Sequence, residues 1–145
     1  MIGTAKTYDL RLVKWWRRIL ALNDRRIQAI VVSGDEMHRL SQSEPNEDSP
    51  SGYAVSSYNH QASRIWLNRD AEDIESAEHI ILHEVLHVET DDMYRFTRNL
   101  INNFIPDAAT KQHLHDELEC HNERQTNRLT RAFLRLKATK AKTEV

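Results

Sequence analysis

The sequence has little of what marks secreted, membrane-bound or nucleic-acid-binding proteins. Its 145 residues include one cysteine, Cys120, so no internal disulfide can form. No stretch is long and apolar enough for a signal peptide or a membrane span, and we therefore expect a reducing, cytoplasmic setting without membrane binding. The formal net charge of −2 provides no broad basic field, so we expect no nucleic-acid partner.

Length and composition favour one domain over residues 1–145. A chain of this size supports one hydrophobic core, and its 39% of apolar residues leave little for a second. Residues 41–52 are rich in Ser, Pro, Asn and acidic side chains, which is typical of a mobile loop. We expect residues 138–145 to form a disordered tail.

The apolar periodicity predicts an α+β fold. An amphipathic helix is predicted over residues 8–21, and β-strands are predicted over residues 27–33, 53–58 and 64–67. The helix contains the run Trp15-Trp16-Arg17-Arg18, which would also suit a nucleic-acid surface. Helical spacing directs its cations away from most of the apolar residues, so we expect core aromatics with a solvated basic rim.

The most informative pattern in the sequence is His83-Glu84-Val85-Leu86-His87. Helical spacing brings residues i and i+4 to one face, so both imidazoles can bind one Zn²⁺ at about 2.0–2.1 Å. Glu84 then lies beside the metal, where it can act as general base toward a zinc-bound water. The pattern therefore predicts a catalytic zinc site.

The surrounding sequence, residues 78–88, predicts an amphipathic helix. Its apolar residues gather on the arc opposite the histidines: Ile81, Leu82, Val85, Leu86 and Val88. Another histidine, His79, lies one turn before His83 on the same stripe. Because His83 and His87 already bracket a usable glutamate, we expect His79 to be a structural residue.

A third protein ligand is needed, since catalytic zinc sites usually have three and keep one position open. The segment of residues 107–137 predicts a helix with an apolar arc and a row of arginines on the far side. Glu119 and Glu123 lie between these two faces, where a carboxylate can lean toward a neighbouring helix. Both are candidates for the third ligand.

The run of residues 123–134, ERQTNRLTRAFL, resembles the E-x-x-A-N-x-F-A-x-x-L-L helix of small gluzincin-like zinc metallopeptidases, which are common in phages and other mobile elements. This resemblance, which covers residues 71–136, favours Glu123 as the third ligand and keeps Glu119 in reserve. Thr126 stands where the family pattern has Ala. Asn127 occupies the position of an acidic residue that hydrogen-bonds a liganding His in larger gluzincins.

The resemblance implies a minimal gluzincin fold: an N-terminal helix, a small three-stranded sheet, the HExxH helix, and helices that carry the third ligand. It implies one Zn²⁺ per chain on His83, His87 and Glu123, with Glu84 as the catalytic base. The substrate would be a peptide or protein that pairs with the sheet edge, for which the strand near residues 52–57 is a candidate. A phage-encoded protein would act in the host cytoplasm.

Peptide hydrolysis also needs a second donor to the oxyanion. Four residues are candidates for it: Tyr58, Tyr94, His113 and His115. Two other functions stay open. A zinc-stabilised binding or structural module without catalysis would not require Glu84, and the near-neutral charge disfavours a DNA-associated regulatory protein. The sequence carries no signal for an oligomeric state.

Overall fold

The computed structural model describes residues 5–22, 24–42, 50–57, 62–72 and 75–143. The elements follow in the order α1 (Arg11–Ile19), β1 (Arg26–Val32), α2 (Gly34–Ser41), β2 (Gly52–Ser57), β3 (Ala62–Asn68), α3 (Ala77–Phe104) and α4 (Ala108–Thr143). The α+β prediction is confirmed. The chain divides within α3 into two compact units, Met1–Val88 and Glu89–Val145, and the single-domain interpretation stays a prediction.

The first unit contains a mixed sheet with the strand order β1-β3-β2. β1 runs parallel to β3, and β2 runs antiparallel to β3 with Gly52 opposite Leu67. Ile65 and Leu67 of β3 are fully buried, so the central strand supplies core residues. β2 is an edge strand, which is the role expected for it from the sequence.

Helix α2 has no counterpart in the prediction. Its N-cap is Ser33, whose hydroxyl accepts a hydrogen bond from the backbone N–H of Glu36 at 3.3 Å. Met37 is fully buried, so this short helix belongs to the core of the first unit. The predicted loop of residues 41–52 lies largely outside the described residues.

Helix α1 contributes buried residues to the core of the first unit. It is shorter than the helix predicted over residues 8–21. Trp16 is buried and its indole N–H donates to Oε1 of Glu78 at 3.0 Å, while Trp15 contacts Trp16 edge to face. Lys14 and Arg18 are exposed. These positions agree with the expected core aromatic and solvated basic rim.

The first turns of α3 supply most of the remaining core. Ser76 precedes the helix, and its hydroxyl accepts from the backbone N–H of His79 at 3.1 Å, which satisfies one of the unpaired donors of the first turn. The apolar residues that follow are all buried: Ile80, Ile81, Leu82, Val85, Leu86 and Val88. The predicted apolar arc is therefore present, and it is wider than predicted.

The second unit consists of the remainder of α3 and of α4. Asp107 precedes α4 and its carboxylate accepts from the backbone N–H of Thr110 at 2.7 Å. Hydrogen bonds from the side chain and backbone of Thr110 hold the pKa of Asp107 below its ordinary value. His115 of α4 contacts Asn102 of α3, with Nε2 and Oδ1 2.8 Å apart.

Helix α4 extends farther than predicted. It includes residues 138–143, where the sequence predicts a disordered tail. This segment consists of Ala, Lys and Thr, and the high helix propensity of Ala and Lys lets the helix continue. Residues 144 and 145 lie outside the described part of the chain.

The later turns of α3 are less buried than the sequence predicts, since the helical spacing of the apolar residues over 92–104 predicts packing residues. Met93, Phe96, Leu100 and Phe104 have the helical spacing of packing residues, yet all four are exposed, Phe104 to 74%. Ile101 is buried. Periodicity identified the helix but not which of its apolar residues pack.

Within the described residues, no helix combines the length and apolarity that spanning a membrane requires.

Candidate metal centre

His83 and His87 project from consecutive turns of α3 and direct the same ring nitrogen to one place. Their Nε2 atoms are 2.9 Å apart, and their ring centroids are 4.6 Å apart in an edge-to-face arrangement. Both rings are half-buried. The helical i, i+4 spacing thus produces the convergence of two imidazole nitrogens that a shared ligand requires.

These two histidines and Glu123 form a group that could hold a metal ion. One ligand atom from each of the three residues lies within 4.8 Å of the others. The half-buried histidines come from α3, and Glu123 is an exposed residue of α4. Among the described residues, Glu119 belongs to no such group.

Glu84 follows His83 directly and is nearly enclosed, with 5% of its surface exposed. Its side chain lies against Gly52, the first residue of the edge strand β2. The Glu84 carboxylate is thus enclosed by the protein, one position after the first histidine of the converging pair.

The other predicted site residues have partners elsewhere or lie outside the described residues. Arg98 lies 5.8 Å from the centre of the Tyr94 ring, and His115 is paired with Asn102. His113 is exposed. Tyr58 lies outside the described residues. The identity of the oxyanion donor therefore stays open among these four candidates.

Sequence reasoning missed Gly52, which touches the predicted catalytic base. The sequence does contain a signal for this contact: Gly52 is an isolated glycine at the start of a run that otherwise favours a strand. Such a glycine can indicate that the backbone closely approaches another group. Periodicity could not identify that group, because the contact joins residues far apart in the chain.

The chain was compared with protein-family models, curated proteins and solved structures, and it matches none of them.

Proposed function

We propose that the protein is a zinc-dependent metallopeptidase that hydrolyses peptide bonds, with His83, His87 and Glu123 as metal ligands and Glu84 as general base. The observation that carries this proposal is the convergence of the His83 and His87 Nε2 atoms, 2.9 Å apart, within a group that also includes Glu123. The resemblance of residues 123–134 to the gluzincin-like helix agrees with the same assignment.

The composition of the ligand group supports zinc. Two imidazole nitrogens and one carboxylate oxygen form the ligand set of many catalytic zinc sites, whereas magnesium and calcium prefer oxygen ligands throughout. When bound, zinc supplies Lewis acidity, which lowers the pKa of a bound water and polarises a substrate carbonyl. We expect about one zinc per chain.

Glu84 supplies the acid–base chemistry of the proposed reaction. It accepts a proton from the attacking water and returns that proton to the nitrogen of the leaving amine. It follows His83 directly in the helix, and its low exposure limits competition from solvent. A module that used the metal for stability alone would not need a carboxylate at this position.

The edge strand β2 supports a peptide as the substrate. It pairs with β3 along one side, and among the described residues no strand pairs with its opposite side, where an extended chain could bind. Glu84 lies against the first residue of this strand. A peptide paired along β2 would therefore pass close to the proposed base.

The decisive experiment combines metal analysis with a broad peptide-cleavage screen of the purified protein. Glu84→Gln should keep its zinc and its fold while losing hydrolysis by orders of magnitude, because the amide cannot accept the proton. Glu89→Gln is the matched control, since Glu89 is an exposed glutamate of the same helix. Equal cleavage by wild type and Glu84→Gln would refute the mechanism, and zinc binding without any cleavage would favour a binding or structural module.

A further inference from the structure

The backbone of Gly52 approaches Glu84 so closely that no side chain fits between them. A β-carbon placed on Gly52 would lie 2.6 Å from Cγ and 2.7 Å from Cδ of Glu84, and Oε1 would be nearer still. Real β-carbons essentially never approach other atoms within 3.0 Å. The three nearest atoms all belong to Glu84, so the missing side chain leaves space for this carboxylate in particular.

The conformation of Gly52 does not itself require glycine. No glycine among the described residues has a positive φ, and Gly52 lies within the regular ladder of β2. Glycine in a strand is unfavourable compared with residues that have a side chain, because it loses more conformational freedom on folding. The close approach to Glu84 is therefore the structural reason for glycine at this position.

The strand cannot easily move away from Glu84. The carbonyl of Ser51 accepts from the backbone N–H of Asn68 at 2.9 Å, and the carbonyl of Pro50 accepts from Nδ2 of Asn68 at 3.1 Å. Asn68 is fully buried, and Gly52 itself is paired opposite the fully buried Leu67. These contacts hold the backbone before and at Gly52, and the pairing of Tyr53 with Trp66 holds it afterwards.

The helix is held equally well. Val85 and Leu86, which follow Glu84 in α3, are buried, and so are Ile81 and Leu82 in the preceding turn. Close-packed cores resist displacement, so a collision between the strand and the helix is relieved by the softest available motion. That motion is rotation of the Glu84 side chain away from its present position.

We propose that Gly52 is a positioning residue for Glu84, and that the absence of its side chain leaves the room in which the Glu84 carboxylate lies against β2. The functional part of this inference rests on the proposed function, in which Glu84 is the proton acceptor. The geometric part does not, because the contact affects folding whether or not the protein cleaves peptides.

A double-mutant cycle on stability tests the geometric part. Gly52→Ala should affect the urea midpoint of unfolding less favourably in the wild-type background than in a Glu84→Ala background, because the new methyl group meets Glu84 only where that side chain is present. Gly34→Ala is the matched control, since Gly34 begins α2, and its effect should be the same in both backgrounds.

Zinc content and turnover test the functional part. Gly52→Ala should retain about one zinc per chain, because the ligands are unchanged, while kcat falls about 100-fold through misplacement of the base. Gly34→Ala should keep the wild-type kcat. An unchanged kcat in Gly52→Ala, measured on a substrate that the wild type cleaves, would overturn the positioning role.

If the wild type cleaves no peptide, the proposed function fails. The double-mutant cycle on stability still tests the contact between Gly52 and Glu84. An equal effect of Gly52→Ala on the urea midpoint in both backgrounds would overturn the inference. If Gly52→Ala alone does not fold, folding of Gly52→Ala/Glu84→Ala supports the inference, and failure of both to fold contradicts it.

Discussion

Nδ1 of His79 lies 3.0 Å from Oε2 of Glu75, which is four positions earlier and precedes α3. His79 belongs to the same helical stripe as His83 and His87, but its ring is buried and engaged with this carboxylate. The converging nitrogens are those of the later pair, which are 2.9 Å apart. Among the described residues, His79 belongs to no group that could hold a metal ion, and its structural role stays a prediction.

The first prediction is that histidine substitutions separate the ligands from this structural residue. The wild-type protein should contain about one zinc per chain, and His83→Ala or His87→Ala should remove it, because each leaves an incomplete ligand set. His79→Gln should retain the zinc. Metal content is measured by atomic emission on dialysed protein, and full zinc occupancy in both alanine variants would refute the site.

The second prediction distinguishes the two glutamates of α4. Glu123 and Glu119 are separated by one helical turn, about 5.4 Å along the axis, while a zinc–carboxylate bond is about 2.0–2.2 Å long. Only one of them can therefore bind a metal held by the histidine pair. Glu123→Ala should raise the zinc Kd severely, and Glu119→Ala should leave it nearly unchanged. The reverse order would move the ligand one turn toward the N-terminus.

The third prediction concerns Asn127, which lies one turn beyond Glu123. Its amide is proposed to accept a hydrogen bond from a liganding imidazole and so to orient that ring. Asn127→Ala should raise the zinc Kd by roughly 10–100-fold, as is typical when the partner of a metal ligand is lost. Asn127→Asp should retain most of the affinity, because the carboxylate can accept the same bond. A Kd for Asn127→Ala equal to wild type would exclude this role.

Local patterns in the sequence predict most of the elements. The strand over residues 27–33 corresponds to β1 (Arg26–Val32), and alternation also identified β2 and β3. Helix α2 is absent from the prediction because a glycine directly after the predicted strand, Gly34, also indicates a turn. Ser33 and Glu36 have the S-x-x-E spacing of a helix N-terminus, so the signal was present.

The order of the strands in the sheet could not be predicted from the sequence, because it depends on contacts between residues that are distant in the chain. β1 pairs with β3 instead of its neighbour in the chain, and no local pattern specifies that order. The site shows the same limit. Spacing within one helix predicts the convergence of His83 and His87, whereas the contact between Gly52 and Glu84 joins segments 32 positions apart in the numbering and has no periodic signature.

The fourth prediction tests the unexpected burial pattern in the later turns of α3. Ile101 is 9% exposed and Phe104 is 74% exposed, although both fit the same apolar periodicity. Ile101→Ala should lower the free energy of unfolding by about 2–5 kcal/mol, the usual range for a buried aliphatic side chain. Phe104→Ala should change it by less than about 0.5 kcal/mol. Urea denaturation measures both, and a larger loss for Phe104→Ala would show that its ring is packed.

The fifth prediction concerns the cap of α4 and its dependence on pH. Hydrogen bonds from Thr110 lower the pKa of the Asp107 carboxyl, so the folded protein binds a proton there less readily than the unfolded chain does. A lowered pKa contributes stability that is fully present above the ordinary pKa and is lost as the pH falls through the folded value.

Asp107→Asn separates the charge of this cap from its hydrogen bond. Asn also caps helices well but does not titrate, so the variant retains an acceptor for the Thr110 N–H and loses the favourable charge at the helix N-terminus. The wild type should unfold at the higher temperature at pH 7, and this difference should shrink as the pH falls below about 4. Thermal unfolding followed by circular dichroism at several pH values measures it.

Asp116→Asn, beyond the first turn of the same helix, is the control, because its carboxylate lies outside the cap. A difference between wild type and Asp107→Asn that grows toward low pH would contradict the lowered pKa and with it the role of Asp107 as a charged cap.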